Sequence, residues 1–148
     1  MRPLTHLASY EALMINATAA VSVPSMTEYE AVKATMQGYI DGVLEGRSDR
    51  MRPSFHPAAS FFGHYNGSLL AGPVQSLFDW VDGNGPATGT RTQFAQIDIR
   101  ETTALVRLEM DSVSGKLSLG GSARLSDFFT LLKIDGAWLI THKTFHWY

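Results

Sequence analysis

The chain has 148 residues, of which 45% are hydrophobic and 18% charged, with a formal net charge of −2. Such a chain is long and apolar enough to fold around its own core, and its charge gives no footprint for nucleic acid or an acidic membrane surface. The lack of cysteine excludes disulfides, thiolate metal sites and a cysteine nucleophile, and no apolar run is long enough to span a membrane.

Residues 1–24 read as an extension ahead of a main domain over 25–148. Arg2 followed by ALMINATAAVSV has the outline of a signal peptide, a basic start and a small-residue end. Glu11, Asn16 and Thr18 interrupt or border the apolar run, which favours an additional helix over roughly residues 7–20. A cysteine-free chain fits a reducing compartment, and a cytoplasmic location is expected.

After Pro24, SMTEYEAVKATMQGYIDGVLEG opens with a capping box, Thr27 to Glu30. Val32, Met36, Tyr39 or Ile40, and Val43 recur at helical spacing, and Gly46 supplies the stop. Gly38 and Gly42 lie inside this helix, each costing about 1 kcal/mol against alanine, which predicts close approach by another element. SDRMRPSFHP, with Ser48 as cap and Pro53 inside, is a short second helix ending near Phe55. ASFFGHYNGSLLAG is a hairpin about Asn66-Gly67, whose residues suit the positive φ angles of a type I′ turn. PVQSLFDWVDGNG is a third short helix with Pro73 in its first turn.

Long strands follow. RTQFAQIDIRE places Ala95, Ile97 and Ile99 on one face. TALVRLEMDSV places Ala104, Val106, Leu108 and Met110 on one face, with Arg107, Glu109 and Asp111 opposite. KLSLGGSARLSDFFTLLKI is a strand broken or bulged at Gly120-Gly121, and AWLITHKTFHWY closes the chain. Helices, a hairpin, a helix and then a meander make the fold α+β, with a strongly curved antiparallel sheet wrapped around N-terminal helices and a pocket between them.

YIDGVLEGRSDRMRPSFHP, LFDWVDG and SDFFTLLKIDGAWLITHKTFH, in this order over about residues 27–148, resemble the nuclear transport factor 2-like superfamily. Its members include ketosteroid isomerases, scytalone dehydratase and polyketide cyclases. The similarity is greatest to its "putative lumazine-binding" branch. The resemblance implies a cone-shaped, cystatin-like fold with a cavity between sheet and helices. It also implies a homodimer packed through the outer sheet face. The superfamily's enzymes place carboxylate or histidine acid–base groups in the cavity without a shared motif, so no catalytic constellation transfers residue by residue.

The final hairpin carries the candidate chemistry. A two-residue turn at Asp135-Gly136 pairs Ile134 with Ala137 and puts Asp127 opposite Thr144, diagonal to His142 and His146. Phe129 and Trp138 then share the concave face with these groups. A carboxylate near two imidazoles in a partly dry cavity is an acid–base device. A three-residue turn instead sets Asp127 opposite Lys143 as a cross-strand ion pair on the other face. In either register His142 and His146 accompany Trp138 inward.

Each candidate has a plainer reading beside the functional one. His142 and His146 are either acid–base groups or hydrogen-bonded rim residues. Asp127 is either a base or an ion-pair partner. His56 is either a loop histidine holding backbone carbonyls or a ligand contact, and His64, beside the Asn66-Gly67 turn, is read as solvated. Phe62, Phe78 and Trp80 are core residues or a wall on which a flat ligand stacks, and Tyr39 adds a hydroxyl that needs a partner if buried. A metal site at Asp127, His142 and His146 would need strong curling, because residues four apart on a strand lie ~13 Å apart. No metal, cofactor, nucleic acid or membrane partner is expected. Three functions stay open. The first is a small-molecule-binding domain. The second is a cofactor-free isomerase, dehydratase or cyclase, and the third a dimeric interaction module. An apolar void favours the first, a void with two titratable groups the second, and a filled void the third.

Overall fold

A computed structural model of the chain describes residues 23–148, so the expected extra helix and signal-like segment lie outside the described residues. The elements are α1 (Met26–Glu45), α2 (Ser48–Met51), a 3-10 turn (Arg52–Ser54), β1 (Phe55–Tyr65), β2 (Ser68–Pro73) and α3 (Val74–Asn84). They are followed by β3 (Arg91–Arg100), β4 (Thr103–Val113), a 3-10 turn (Gly115–Ser118), β5 (Ala123–Ile134) and β6 (Ala137–Trp147). The six strands form one sheet in the order β2-β1-β6-β5-β4-β3. It is an α+β cone, with a curved, unclosed sheet. The sheet is mixed, a correction to the antiparallel expectation, because β6 returns parallel to β1 while every other neighbour is antiparallel.

Helix α1 starts from Ser25, whose Oγ accepts the Glu28 N–H at 3.3 Å, two residues before the expected box. The Glu28 carboxylate instead reaches β5 and β6, accepting from Lys133 Nζ at 2.7 Å and Trp138 Nε1 at 2.9 Å. The expected apolar stripe is buried: Val32, Met36, Tyr39, Ile40 and Val43 all face the sheet or the cavity. Gly46, at φ 66°, ends the helix in the left-handed conformation. The two internal glycines do mark a close approach. A Cβ on Gly42 would come within 2.6 Å of Met51 Cε, and one on Gly38 would collide with Ser54 Oγ, so α2 and its 3-10 turn lie flat across α1.

The first hairpin turns at Asn66-Gly67 with φ of 47° and 78°, pairing Tyr65 with Ser68 as a two-residue turn requires. Two strand expectations change. Ala95 is the extra residue of a bulge in β3, so Phe94, Ile97 and Ile99 pack inward and Ala95 is exposed. The segment around Gly120-Gly121 is no strand. It is the 3-10 turn and a loop in which Leu119 adopts φ 56°, and β5 starts only at Ala123.

Hydrogen bonds from Lys133 and then Trp138 hold the Glu28 carboxyl below its ordinary value, by favouring the charged form. A lowered folded value means that this contribution to stability is present above the unfolded value, about 4.3, and is lost as pH falls through the folded one. Melting curves from pH 7 to 3 are expected to show a smaller acid-induced drop in Tm for Glu28→Gln than for the unaltered chain. Equal drops would mean that the carboxylate does not clasp α1 to the final hairpin.

Candidate active site

One inserted residue decides which side chains face the cavity. The turn at Asp135-Gly136 is the two-residue form, with φ of 50° and 82°, and pairs Ile134 with Ala137 and Leu131 with Ile140. Beyond that point Thr130 pairs with His142, so Thr141 has no opposite number. Its hydroxyl donates to the Thr130 carbonyl at 3.1 Å and lies 3.2 Å from Thr130 Oγ1, which fixes the bulge in place. A bulge of one residue reverses the in–out alternation downstream. Trp138 and Ile140 therefore point inward, and so do Lys143, Phe145 and Trp147.

This overturns the expected placement of the two late histidines. His142 and His146 lie on the outer face. Both His142 ring nitrogens are engaged there, Nδ1 with Ser60 Oγ at 2.9 Å and Nε2 with Thr144 Oγ1 at 3.0 Å. The His146 ring sits 4.8 Å from that of Tyr148 and 6.3 Å from that of His64. Asp127 points inward as the two-residue turn predicts. Its backbone partner is Phe145, however, and its diagonal neighbours are Lys143 and Trp147.

Asp127, Lys143 and Tyr39 form a buried cluster. Asp127 is fully buried and Lys143 only 3% exposed. Lys143 Nζ lies 3.0 Å from Asp127 Oδ1, off the direction of a hydrogen bond, and Tyr39 donates its hydroxyl to Oδ2 at 2.9 Å. Burial pushes the Asp127 carboxyl up and outweighs the Lys143 ammonium and the Tyr39 hydroxyl, which pull it down. Burial, together with the charge of Asp127, pushes the Tyr39 phenol well above its ordinary value, so Tyr39 remains a donor. The ammonium also rests over two rings, 4.0 Å from the Phe145 centroid and 5.7 Å from that of Tyr39. Phe145 fits because its partner on β1 is Gly63, where any Cβ would collide with the ring.

The cluster opens into a cavity of about 220 Å³ between α1, α3 and the sheet. Apolar side chains make most of the wall: Val43, Phe61, Leu77, Met110, Leu125 and Trp147 among them. The exposed Ala71 and Ser76, with half-buried Leu70 and Trp80, place the mouth between β2 and α3. Among the described residues Lys143 is the one charged side chain of the wall, and Asp127 stands behind it, out of contact with the space. A single cation in an apolar chamber is suited to an oxygen that carries, or acquires, negative charge.

Of the other expected site residues, Tyr39 and Trp80 line the cavity. Phe129 is fully buried beneath it, with its ring 4.9 Å from that of Tyr39. Phe78 packs in the core against Phe55, under the guanidinium of Arg52, and Trp138 turns its indole to Glu28, so neither reaches the wall. Phe62 lies on the outer face, 48% exposed, and His56 Nδ1 accepts the Ala58 N–H at 3.0 Å. Among the described residues no group of three metal-ligating side chains converges. Lys143, Phe61, Tyr65 and Trp147 are among the wall residues that sequence reasoning missed.

Breaking a buried ion pair by removing one partner costs about 3–5 kcal/mol, whereas replacing both by apolar groups is often neutral. Urea unfolding of Asp127→Leu and of Lys143→Met is expected to show losses of that size, and the double variant to recover most of them. Additive losses would mean that the two charges are not coupled.

Residues 27–146 match the model of a family described as putative lumazine-binding. A curated relative, "Aldolase FrzH" from Cladobotryum sp, is 31% identical over 82% of this chain and 93% of its own length. A nuclear transport factor 2-like protein of unknown function from Shewanella baltica superposes with a TM-score of 0.74, at 32% identity over 86% of this chain and 98% of its own. Another, from Methylobacillus flagellatus, does so with a TM-score of 0.76, at 30% identity over 87% and 99%. With its cone fold and a match over nearly all the described residues, the chain belongs to the putative lumazine-binding family of the nuclear transport factor 2-like superfamily.

Proposed function

We propose that the chain is an enzyme acting on an apolar carbonyl compound. It would shift a proton at the carbon next to the carbonyl, and so make or break a carbon–carbon bond of aldol type. The observation that carries this reading is the buried Lys143–Asp127–Tyr39 cluster opening into an otherwise apolar cavity. As the neighbouring carbon loses its proton, negative charge gathers on the carbonyl oxygen. A cation held in a dry wall stabilises that charge more strongly than one in water. Lys143 is the group that meets the ligand, and Asp127 is a positioning residue that orients the amine and exchanges a proton with it. A relative named an aldolase, matching over most of both chains, supports the same class.

The simpler alternative, a binding domain without chemistry, shares the cavity and differs only in what the cluster does. Incubating the protein with 4-phenylbutan-2-one in deuterated buffer separates the two. Quenching of Trp80 and Trp147 fluorescence reports occupancy, and mass spectrometry reports deuterium at the carbons beside the carbonyl. Exchange well above the buffer rate is expected, falling about 100-fold or more in Lys143→Met, the size of effect seen when an oxyanion-stabilising donor is removed. Saturating quenching with exchange at the buffer rate would establish binding alone.

We also propose a homodimer through the outer sheet face. Phe62, Leu105, Phe128 and Leu132 are 38–48% exposed there, more apolar surface than a strand face turned to water needs. Sedimentation is expected to find a dimer that Phe128→Glu converts to monomer; a monomeric unaltered chain would remove this assignment.

A further inference from the structure

We infer that Lys143 captures the carbonyl ligand covalently, its Nζ replacing the carbonyl oxygen to leave a protonated Schiff base in the cavity wall. This rests on the carbonyl-enzyme reading and specifies how its central residue works.

The first argument is placement. The chain has four lysines, Lys33, Lys116, Lys133 and Lys143. Lys33 and Lys133 extend from the surface into ion pairs with Glu30 and Glu28, and Lys116 is exposed. Lys143 alone lines the cavity. Among the described residues, any carbonyl compound filling that space meets one amine, and meets it among mostly hydrocarbon walls.

The second argument is solvation. An ammonium has three N–H donors and is strongly hydrated in water. Around Lys143 the protein replaces that hydration with one carboxylate oxygen, off the hydrogen-bond direction, and the faces of two rings. This is a poor setting for three donors and a better one for an iminium, which carries the same charge spread over carbon and nitrogen and has a single N–H. The flat ring of Phe145, 4.0 Å from Nζ, suits a planar cation more than a tetrahedral one. The site is thus more complementary to the adduct than to the free lysine.

The third argument is the proton path. An ammonium is no nucleophile and must first lose a proton. Asp127 Oδ1, 3.0 Å from Nζ and without a hydrogen bond of its own, is placed to take it. The amine lone pair then attacks the carbonyl carbon, and the π pair moves to the oxygen. The nitrogen then passes its surplus proton to that oxygen through a water of the cavity, giving a neutral carbinolamine beside the carboxylic acid. The carboxylic acid returns its proton to the nitrogen, which hands one on through the same water to the hydroxyl, and the hydroxyl leaves as water as the nitrogen lone pair forms the C=N bond. In sum, ammonium plus ketone gives iminium plus water, and Asp127 ends as the carboxylate it began as. Tyr39, donating to Oδ2 at 2.9 Å, keeps Oδ1 turned toward the amine throughout. The iminium then serves as the electron sink for the proton loss already assigned to the site.

Trapping tests this on the unaltered chain. The protein is incubated with 4-phenylbutan-2-one and sodium cyanoborohydride, which reduces the C=N bond to a stable amine, and then mapped by peptide mass spectrometry. Alkylation of Lys143 at least 10-fold above that of each of the other three lysines is expected, and none at position 143 in Lys143→Arg. In Asp127→Asn, trapping of Lys143 is expected to slow while Trp80 and Trp147 quenching shows that the ketone still binds, a split that loss of packing alone would not produce. If Lys143 is alkylated no more than the surface lysines while ketone-dependent deuterium exchange persists and needs Lys143, the amine acts only as a cation and covalent capture is overturned. If the ketone binds and neither exchange nor selective trapping occurs, the enzyme reading falls with it.

Discussion

Two opposite charges buried at the wall of a cavity are the constraint around which the rest of the molecule is arranged. Taking a carboxylate and an ammonium out of water costs several kcal/mol each, on the order of what their attraction returns, so the pair is tolerable only with further support. Asp127 and Lys143 have it: a phenol hydroxyl on the second carboxylate oxygen and two ring faces around the ammonium. Each support comes from a different element. Helix α1 delivers Tyr39, β6 supplies both Lys143 and Phe145, and β1 leaves room for the ring at Gly63. The charged site and the architecture are therefore a single solution, and the cavity is what remains beside it.

Much of the framework was legible in the residues. Asn66-Gly67 specifies its turn, because few other pairs accept two successive positive φ angles, whereas Asp135-Gly136 allows a two-residue or a three-residue turn and only the structure shows the two-residue form. The stripe from Val32 to Val43 announces its helix, and Gly38 and Gly42 announce what crosses it. The cap at Ser25 was not legible, because Glu28 and Glu30 both satisfy the pattern and only the distant Lys133 and Trp138 decide between them.

The site was the part that sequence reasoning misplaced, and the cause is local. Ile140, Thr141 and His142 are all at ease in a strand, so nothing in them marks an inserted residue. The mark lies further out. Trp138 and Ile140 occupy even positions, whereas Phe145 and Trp147 occupy odd ones, and all four are buried. An apolar pattern that changes phase within one strand is the sequence signature of a bulge. Followed through, that change would have exchanged two histidines for Lys143 as the inward titratable groups. Lysine is seldom read as a core residue, because it is almost never fully buried without a partner. Here the partner is Asp127, which the two-residue turn sets near the histidines and the three-residue turn sets opposite Lys143.

Gly63 has a consequence of its own for how this chain can drift. Its missing side chain is the slot for the Phe145 ring, and that ring is the floor on which the Lys143 nitrogen rests. A methyl group there would tilt the aromatic plate and swing the amine away from its carboxylate, though position 63 itself touches neither. The smallest residue on β1 thus acts as a set-screw for the nitrogen. A lineage that surrendered it would have to abandon the lysine or shrink the phenylalanine in the same stroke.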